Sequence, residues 1–193
     1  MLAGKTHRLP REYQEVEYLE STGTQWIKLG NPVSTSEYRF IFKLSPTKLA
    51  GRYDSGYNGI MGANISPQVG FYIDGWTVGN TGSRVPYLPE AGQIYEIVYS
   101  KDFDGSYWVD GYDTTLKRAG YMTINLFWVE SKPTNVFTKL YHASAISDID
   151  EYLYDVIPCY RKSDHKPGLY DLVTKTFLTN SGTGEFIVGA DVK

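Results

Sequence analysis

Apolar and polar side chains alternate along several short stretches of the chain, and this alternation predicts β-strands. It is clearest in Ser36–Leu44, where Tyr38, Phe40, Phe42 and Leu44 fall on the same parity. Successive side chains of a strand point to opposite faces of the sheet, so these four would line one surface. We therefore predict a strand that buries this face in a core.

The N-terminal segment predicts a hairpin. Residues Glu15–Glu20 alternate, with Val16 and Leu19 on opposite faces, and Ser21–Thr24 has the composition of a turn. Gln25–Leu29 would then be the returning strand, paired with the first one.

Further strands are predicted in the middle of the chain. Gln93–Ser100 and Ser106–Val109 are two of them, and Asp110–Gly111 after the second is a strong two-residue hairpin signal. The nearly continuous apolar run Met122–Val129 predicts one strand buried on both faces. Residues 45–90 are mostly polar loop, with short strands expected at Gly59–Asn64 and Gln68–Asp74.

The C-terminal third predicts paired strands separated by tight turns. Lys139–Ile146 and Tyr152–Tyr160 flank an acidic turn. The remaining strands and turns are Leu169–Val173, Thr174–Lys175, Thr176–Thr179, Asn180–Gly184 and Glu185–Val188. We expect this closing segment to pair near the N-terminal hairpin, which would bring the two ends of the chain together.

No segment has the periodicity of a helix, and about a dozen short strands with frequent turns indicate a sandwich of two sheets. The expected fold class is all-β, an antiparallel two-sheet jelly roll. Residues 1–8 would be an N-terminal arm, and residues 9–193 would be a single domain, a common size for such folds.

Composition limits the functions that fit. The net charge of −3 shows no basic excess, so no nucleic-acid partner is expected. No apolar run approaches the roughly 20 residues that span a bilayer, so no membrane insertion is expected. Cys159 is the single cysteine, so an internal disulfide is impossible, and we expect its side chain to be a small buried apolar group.

Two terminal motifs carry a resemblance. Leu9-Pro10 with Tyr18–Ile27 resembles the opening of a group of phage and gut-bacterial surface proteins with laminin-G-like, concanavalin-A-like jelly rolls. Their closing motif is similar to Ile157–Arg161, Gly168–Asp171 and Asn180–Gly184. Tyr107–Gly111 resembles a hairpin of the same domains. The resemblance spans residues 9–189, and residues 45–90 have no counterpart in it.

The resemblance implies a jelly roll and, more loosely, a place on a virion. We expect a non-enzymatic phage virion component, a decoration or adhesion protein of capsid or tail that is made in the host cytoplasm. Its partners would be other virion proteins or copies of itself. The alternative is a carbohydrate-binding receptor module of a tail fibre or of a bacterial surface protein, with a cell-surface glycan as ligand. This fold hosts all three classes of protein, and a glycoside hydrolase ranks third among them.

Loop aromatics are the candidate binding residues, since flat rings stack on the C–H faces of sugars and short polar groups bond to hydroxyls. The predicted ligand-binding set is Tyr53, Asp54, Tyr57, Asn58, Trp76, Asn80 and Arg84. Tyrosine-rich loops are equally typical of contacts between protein subunits. Both interpretations of these loops stay open.

The remaining polar clusters favour structural interpretations. Asp148, Asp150 and Glu151 could supply the paired carboxylates of a glycosidase, but their context predicts a hairpin turn. Asp102–Gly105 could suggest calcium, and it too is typical of a turn. The three histidines share no spacing that indicates zinc. We predict no catalytic residues, no metal site and no cofactor.

Overall fold

The computed structural model describes part of the chain. The described residues are 9–30, 33–34, 38–48, 59–62, 70–72, 77–78, 90–99, 106–109, 112–115, 121–122, 125–129 and 136–193. Side chains are described for 9–30, 38–48, 90–98, 125–127 and 136–193.

The protein is all-β: strands and turns, and no helices, make up the described residues. The described part therefore contains no helix that is long and apolar enough to cross a bilayer. The strands are β1 Tyr13–Glu15, β2 Leu19–Thr22, β3 Ile27–Lys28, β4 Val33–Ser34, β5 Tyr38–Pro46, β6 Gly59–Gly62, β7 Gly70–Tyr72, β8 Thr77–Val78, β9 Tyr95–Tyr99, β10 Ser106–Val109, β11 Tyr112–Thr115, β12 Tyr121–Met122, β13 Asn125–Leu126, β14 Trp128–Val129, β15 Phe137–Ser147, β16 Tyr152–Arg161, β17 Lys166–Asp171, β18 Thr176–Thr179 and β19 Ile187–Val188.

One eleven-stranded sheet dominates the fold. Its main path runs β11-β10-β9-β5-β15-β16-β17-β18, while β1 joins it beside β16, and β2 lies between β15 and β19. Three small sheets accompany it: β12-β4, β13-β3 and β14-β6-β7-β8. All of these strand pairs are antiparallel except β14 with β6. The arrangement is sandwich-like and compatible with a jelly roll.

The main core lies on one face of the large sheet, and a smaller cluster of Ile157, Cys159 and Tyr170 is separate from it. Phe40, Phe42 and Leu44 of β5 are fully buried, which confirms the alternation predicted for that strand. They share one hydrophobic cluster with Ile27 of β3 and Leu126 of β13. Two layers of strands thus bury their apolar faces against each other, which is the way a sandwich excludes water from its interior.

The predicted N-terminal hairpin is wrong. Strand β2 pairs with β15 and β19, and β3 pairs with β13, so the segments on either side of Ser21–Thr24 are not partners. Val16 and Leu19 are both buried in the core. The alternation of Glu15–Glu20 is interrupted between them, and β1 ends at Glu15. Pairing with distant segments decided this region.

The single strand predicted for Met122–Val129 is also wrong. The run breaks into β12, β13 and β14, which pair with three different strands. Phe127 marks the break with a φ of 62°, a left-handed conformation that is unfavourable for a residue with a side chain. Its ring is buried against that of Phe186, with centroids 5.1 Å apart. Burial of this ring offsets the local strain.

The closing segment is confirmed in its main feature. Strand β1 pairs with β16, β19 pairs with β2, and Val16 bridges to Asp191, so the described ends of the chain meet in the large sheet. Only the strand bounds differ: the strand predicted at Leu169–Val173 is β17, Lys166–Asp171, and the one predicted at Glu185–Val188 is the shorter β19, Ile187–Val188.

Candidate functional site

The two terminal motifs lie against each other. Ser181 N donates to Trp26 O (2.8 Å), Thr183 N donates to Thr24 O (3.2 Å), and Trp26 N donates to Asn180 Oδ1 (3.1 Å). We call residues 21–26 and 180–185 the closing clasp. Motifs that are more than 150 positions apart in the chain therefore form one hydrogen-bonded unit.

Polar side chains of the closing clasp form hydrogen bonds with the backbone of the clasp itself. The amide oxygen of buried Gln25 accepts from Thr22 N (2.9 Å) and Thr24 N (3.3 Å), and its Nε2 donates to Glu185 O (3.0 Å). A Cβ on Gly182 would collide with Thr24 O and lie 2.8 Å from Trp26 Cδ1. Close approach of two loops is thus the physical reason for glycine here. The clasp holds the fold and leaves few polar groups for a ligand.

Asp171 has a similar structural role. Its carboxylate accepts from Asp155 N (3.1 Å), Val173 N (3.0 Å) and Thr174 Oγ1 (2.7 Å). The side chain is buried at the start of the turn between β17 and β18. Asp171, like Asn180 in the clasp, thus uses its side chain to hold a turn.

A β-bulge in β15 presents two consecutive side chains on the outer face of the large sheet. Leu140 and Ala143 both lie in the core, and the pairing of β15 with β5 shifts register between Leu140 and His142. Tyr141 and His142 therefore both point away from the core, and both are half-buried. Bulges are often found beside functional sites because they re-aim side chains.

His142 is held by a carboxylate. Its Nε2 lies 2.7 Å from Oδ1 of Asp155 on the neighbouring strand β16. The His142 side chain is 33% exposed, whereas that of Asp155 is 12% exposed. An ionised carboxylate only accepts hydrogen bonds, so Nε2 carries the proton that is shared with it. Nδ1 of His142 has no partner among the described residues, and in neutral histidine it is an acceptor.

An aromatic and cationic group adjoins this pair. The rings of Tyr18 and Tyr141 lie edge to face with centroids 5.6 Å apart. Lys139 Nζ lies 4.3 Å from the centroid of the Tyr18 ring. A hydrogen bond with Tyr18 raises the pKa of Lys139, and burial raises the pKa of Tyr141. At neutral pH the ammonium is charged and the Tyr141 hydroxyl is protonated, so both can donate.

We call Tyr18, Lys139, Tyr141, His142 and Asp155 the outer-face strip. The C-terminal segment fixes its edge, because Gly189 N donates to Tyr18 O at 2.9 Å. A Cβ on Gly189 would lie 2.8 Å from Cδ1 of the Tyr18 ring. The strip combines hydrogen-bond acceptors, donors and aromatic surface on rigid strands, which suits recognition of a polar ligand.

The predicted ligand-binding residues lie outside the described residues: Tyr53, Asp54, Tyr57, Asn58, Trp76, Asn80 and Arg84. The same holds for Asp102, Asp104, the arm of residues 1–8 and the Asp110–Gly111 turn. The residues on either side of Asp110–Gly111, Val109 and Tyr112, pair with each other.

The acidic run is confirmed as a turn. Asp150 N donates to Ser147 O (3.0 Å), and Asp148, Asp150 and Glu151 are all exposed. The described residues contain no group of three or more histidine, cysteine, aspartate or glutamate side chains that could hold a metal ion. Cys159 is fully buried, as predicted, and burial raises its pKa to about 12.

Sequence reasoning missed the outer-face strip. The sequence places His142 only within the predicted strand Lys139–Ile146. A signal was present: two polar or aromatic residues, Tyr141 and His142, separate apolar Leu140 from small Ala143, which breaks strict alternation and indicates a bulge. Its partner Asp155 lies 13 positions away, and only strand pairing brings it within reach.

Comparison of the chain with models of protein families, with curated proteins and with solved structures gave no match.

Proposed function

We propose that the protein is a non-enzymatic phage virion component, a decoration or adhesion module of capsid or tail. It would assemble with other virion proteins or with copies of itself, and its loops would contact protein or glycan. The proposal rests first on the resemblance of the two terminal motifs to phage and gut-bacterial surface proteins.

The observation that carries the proposal is the closing clasp. The residues that make up the terminal motifs bond to one another, as Gln25 does to Glu185 and Asn180 to Trp26. Such motifs maintain a scaffold, and a scaffold with exchangeable loops suits a module that is displayed on a particle surface.

A catalytic role has less support. The carboxylates of a glycosidase flank a scissile bond within a cleft. Asp148, Asp150 and Glu151 instead occupy an exposed turn at the end of the sheet. We therefore rank a glycoside hydrolase below both a structural and a binding role.

Mass spectrometry of purified virions from the phage that encodes the chain tests the proposal. We expect the protein at a fixed copy number per particle, in capsid or tail fractions. Its presence in the infected-cell lysate and absence from washed virions would contradict a virion role. Release of sugar from a broad polysaccharide panel, lost in Asp148→Asn, would favour the hydrolase instead.

Carbohydrate recognition is the second candidate function, and the outer-face strip favours it. The strip presents an oriented histidine beside two tyrosine rings and a lysine. A receptor-binding module of a tail fibre or of a bacterial surface protein would use such groups on the glycans of a cell surface.

A further inference from the structure

The outer-face strip differs from the other polar clusters of the described residues in having groups that are oriented but not used. The polar side-chain atoms of Asp171 and Gln25 form hydrogen bonds with backbone groups. His142 uses only Nε2, and Asp155 only Oδ1, in the bonds that the described residues make. A side chain that is already oriented by one hydrogen bond, and that has a second acceptor atom without a partner, can bind a donor group of a ligand. Little conformational entropy of the side chain is lost when the ligand binds.

The remaining atoms define the chemistry of a ligand. Oδ2 of Asp155 is an acceptor, as is Nδ1 of His142 whenever the imidazole is neutral, and both call for hydroxyl groups. Lys139 Nζ and the Tyr141 hydroxyl are donors, and they call for hydroxyl or ring oxygens. Donors and acceptors on one surface match a polyhydroxylated molecule.

Charge on and around the strip favours a neutral ligand. Glu20 lies beside Lys139 and acts on its ammonium. Lys43, which pairs with His142 across β5 and β15, lies 3.9 Å from Glu96. Because each cation has a nearby carboxylate, the surface lacks the excess positive charge that would attract a carboxylate or phosphate group.

The aromatic pair supplies the apolar part of the contact. The steeply inclined rings of Tyr18 and Tyr141 form a corner, and Lys139 covers one face of Tyr18. Tyr141 is then the ring that is available to the C–H face of a pyranose. Its position is set by the bulge, so the ring and the His142 imidazole point out side by side.

We propose that the outer-face strip is a binding site for a neutral saccharide, with His142 and Asp155 accepting from its hydroxyls and Tyr141 stacking on its ring. The site lies on the strands of the large sheet and not on the loops of residues 45–90. The inference rests on the second candidate function, carbohydrate recognition, and it does not depend on a virion role. A shallow site of this kind would have a Kd on the order of 1 mM for a monosaccharide.

Chemical-shift mapping by NMR tests the site directly. The labelled protein is titrated with glucose, galactose, mannose, N-acetylglucosamine and their β-linked and α-linked oligomers, up to on the order of 50 mM, well above the expected Kd. We expect saturable shifts at Tyr18, Tyr141 and His142 with at least one sugar. Shifts confined to residues 45–90, or no saturable shift with any sugar, would overturn the proposal.

Matched variants separate the site from the fold. His142→Ala and Tyr141→Ala should each weaken binding by about tenfold or more. His165→Ala and Tyr152→Ala change the same residue types at exposed positions outside the strip and should leave binding unchanged. Equal losses in both sets, or retained binding in the strip variants, would contradict the proposal. If His142→Ala does not fold, the wild-type shift map and Tyr141→Ala still decide.

The virion question is answered separately. Incorporation into particles with no sugar binding would overturn the saccharide site and leave the structural role standing. Sugar binding at the strip with no incorporation into particles would do the reverse.

Discussion

The closing clasp and the outer-face strip use similar polar side chains in opposite ways. In the clasp, both ends of the Gln25 amide bond to neighbouring loops, and Gly182 has no room for a side chain. In the strip, the bond from His142 to Asp155 orients the imidazole and leaves Nδ1 without a partner among the described residues. Similar residue types thus stabilise the fold in one region and remain available in the other.

The contrast teaches that a conspicuous motif need not be a site. The clasp holds the segments that are most distinctive in the sequence, yet the bonds of its side chains are directed inward. The strip shares only Tyr18 with the terminal motifs, and it becomes visible only when a bulge and a strand pair bring Tyr141, His142 and Asp155 together. Substitutions in the clasp should therefore alter the stability of the fold, and substitutions in the strip should alter ligand binding.

The largest expected effect is in the clasp. Gly182→Ala forces a Cβ against Thr24 O and the Trp26 ring. Overpacking against backbone should lower the free energy of unfolding by about 3 kcal/mol, measured by urea denaturation.

Gly92→Ala is the control for this change. Gly92 has a φ of +86°, and no other atom lies within 4 Å of the position that its Cβ would take, so only backbone strain applies. The loss there should be about 1 kcal/mol. An equal loss at the two glycines would show that loop contact does not stabilise the clasp.

Asp171→Ala should cause the second largest loss in the free energy of unfolding. The change removes the acceptor for Asp155 N, Val173 N and Thr174 Oγ1, and buried backbone donors would lose their partners. We expect a loss of roughly 2 kcal/mol in the free energy of unfolding. Asp148→Ala in the exposed turn, within about 0.5 kcal/mol of wild type, is the matched control. Similar losses at both positions would contradict a structural role for Asp171.

His142→Ala should change stability little. The side chain is one third exposed, and water screens its bond to Asp155. The expected loss is less than about 1 kcal/mol by urea denaturation, while the saccharide Kd read from the shifts at Tyr18 and Tyr141 rises about tenfold. A loss as large as that of Gly182→Ala would make His142 part of the scaffold and remove the distinction between the two regions.

The smallest effect concerns an exposed pair outside both regions. Hydrogen bonds from Arg161 lower the pKa of Asp164 from 3.8 to about 2. Since the folded pKa lies below the unfolded one, the pair stabilises the fold above about pH 4 and this contribution fades as pH falls towards about 2. Carboxyl NMR titration should find this midpoint. In Arg161→Gln it should move towards 3.8, and an unchanged midpoint would refute the assigned cause.

Local pattern was enough for strands whose apolar face is continuous. Ser36–Leu44 was predicted with the correct buried face, and β15, β16 and the turn between them were placed close to their actual bounds. The tight turns around Thr174 and Asn180 were also predicted, since turn chemistry is local. The N-terminal hairpin and the Met122–Val129 strand failed because pairing partners lie far away in the chain.

The candidate binding residues from the sequence and from the structure do not overlap. The loop set from Tyr53 to Arg84 stays a prediction, because it lies outside the described residues. The break in alternation at Tyr141 and His142 indicates the bulge, but the strip could not be predicted, because the contact between His142 and Asp155 depends on how β15 pairs with β16.

The sequence by itself determined the all-β class, the strands of the core and the turns that close the chain, because these follow from side-chain alternation and from local turn preferences. Only the tertiary structure decided that the two terminal motifs form the closing clasp and that Tyr141, His142 and Asp155 share a surface. The physical reason is that strand partners and register minimise the free energy of the whole sheet. Contacts between distant segments therefore exist only once every strand has found its neighbour.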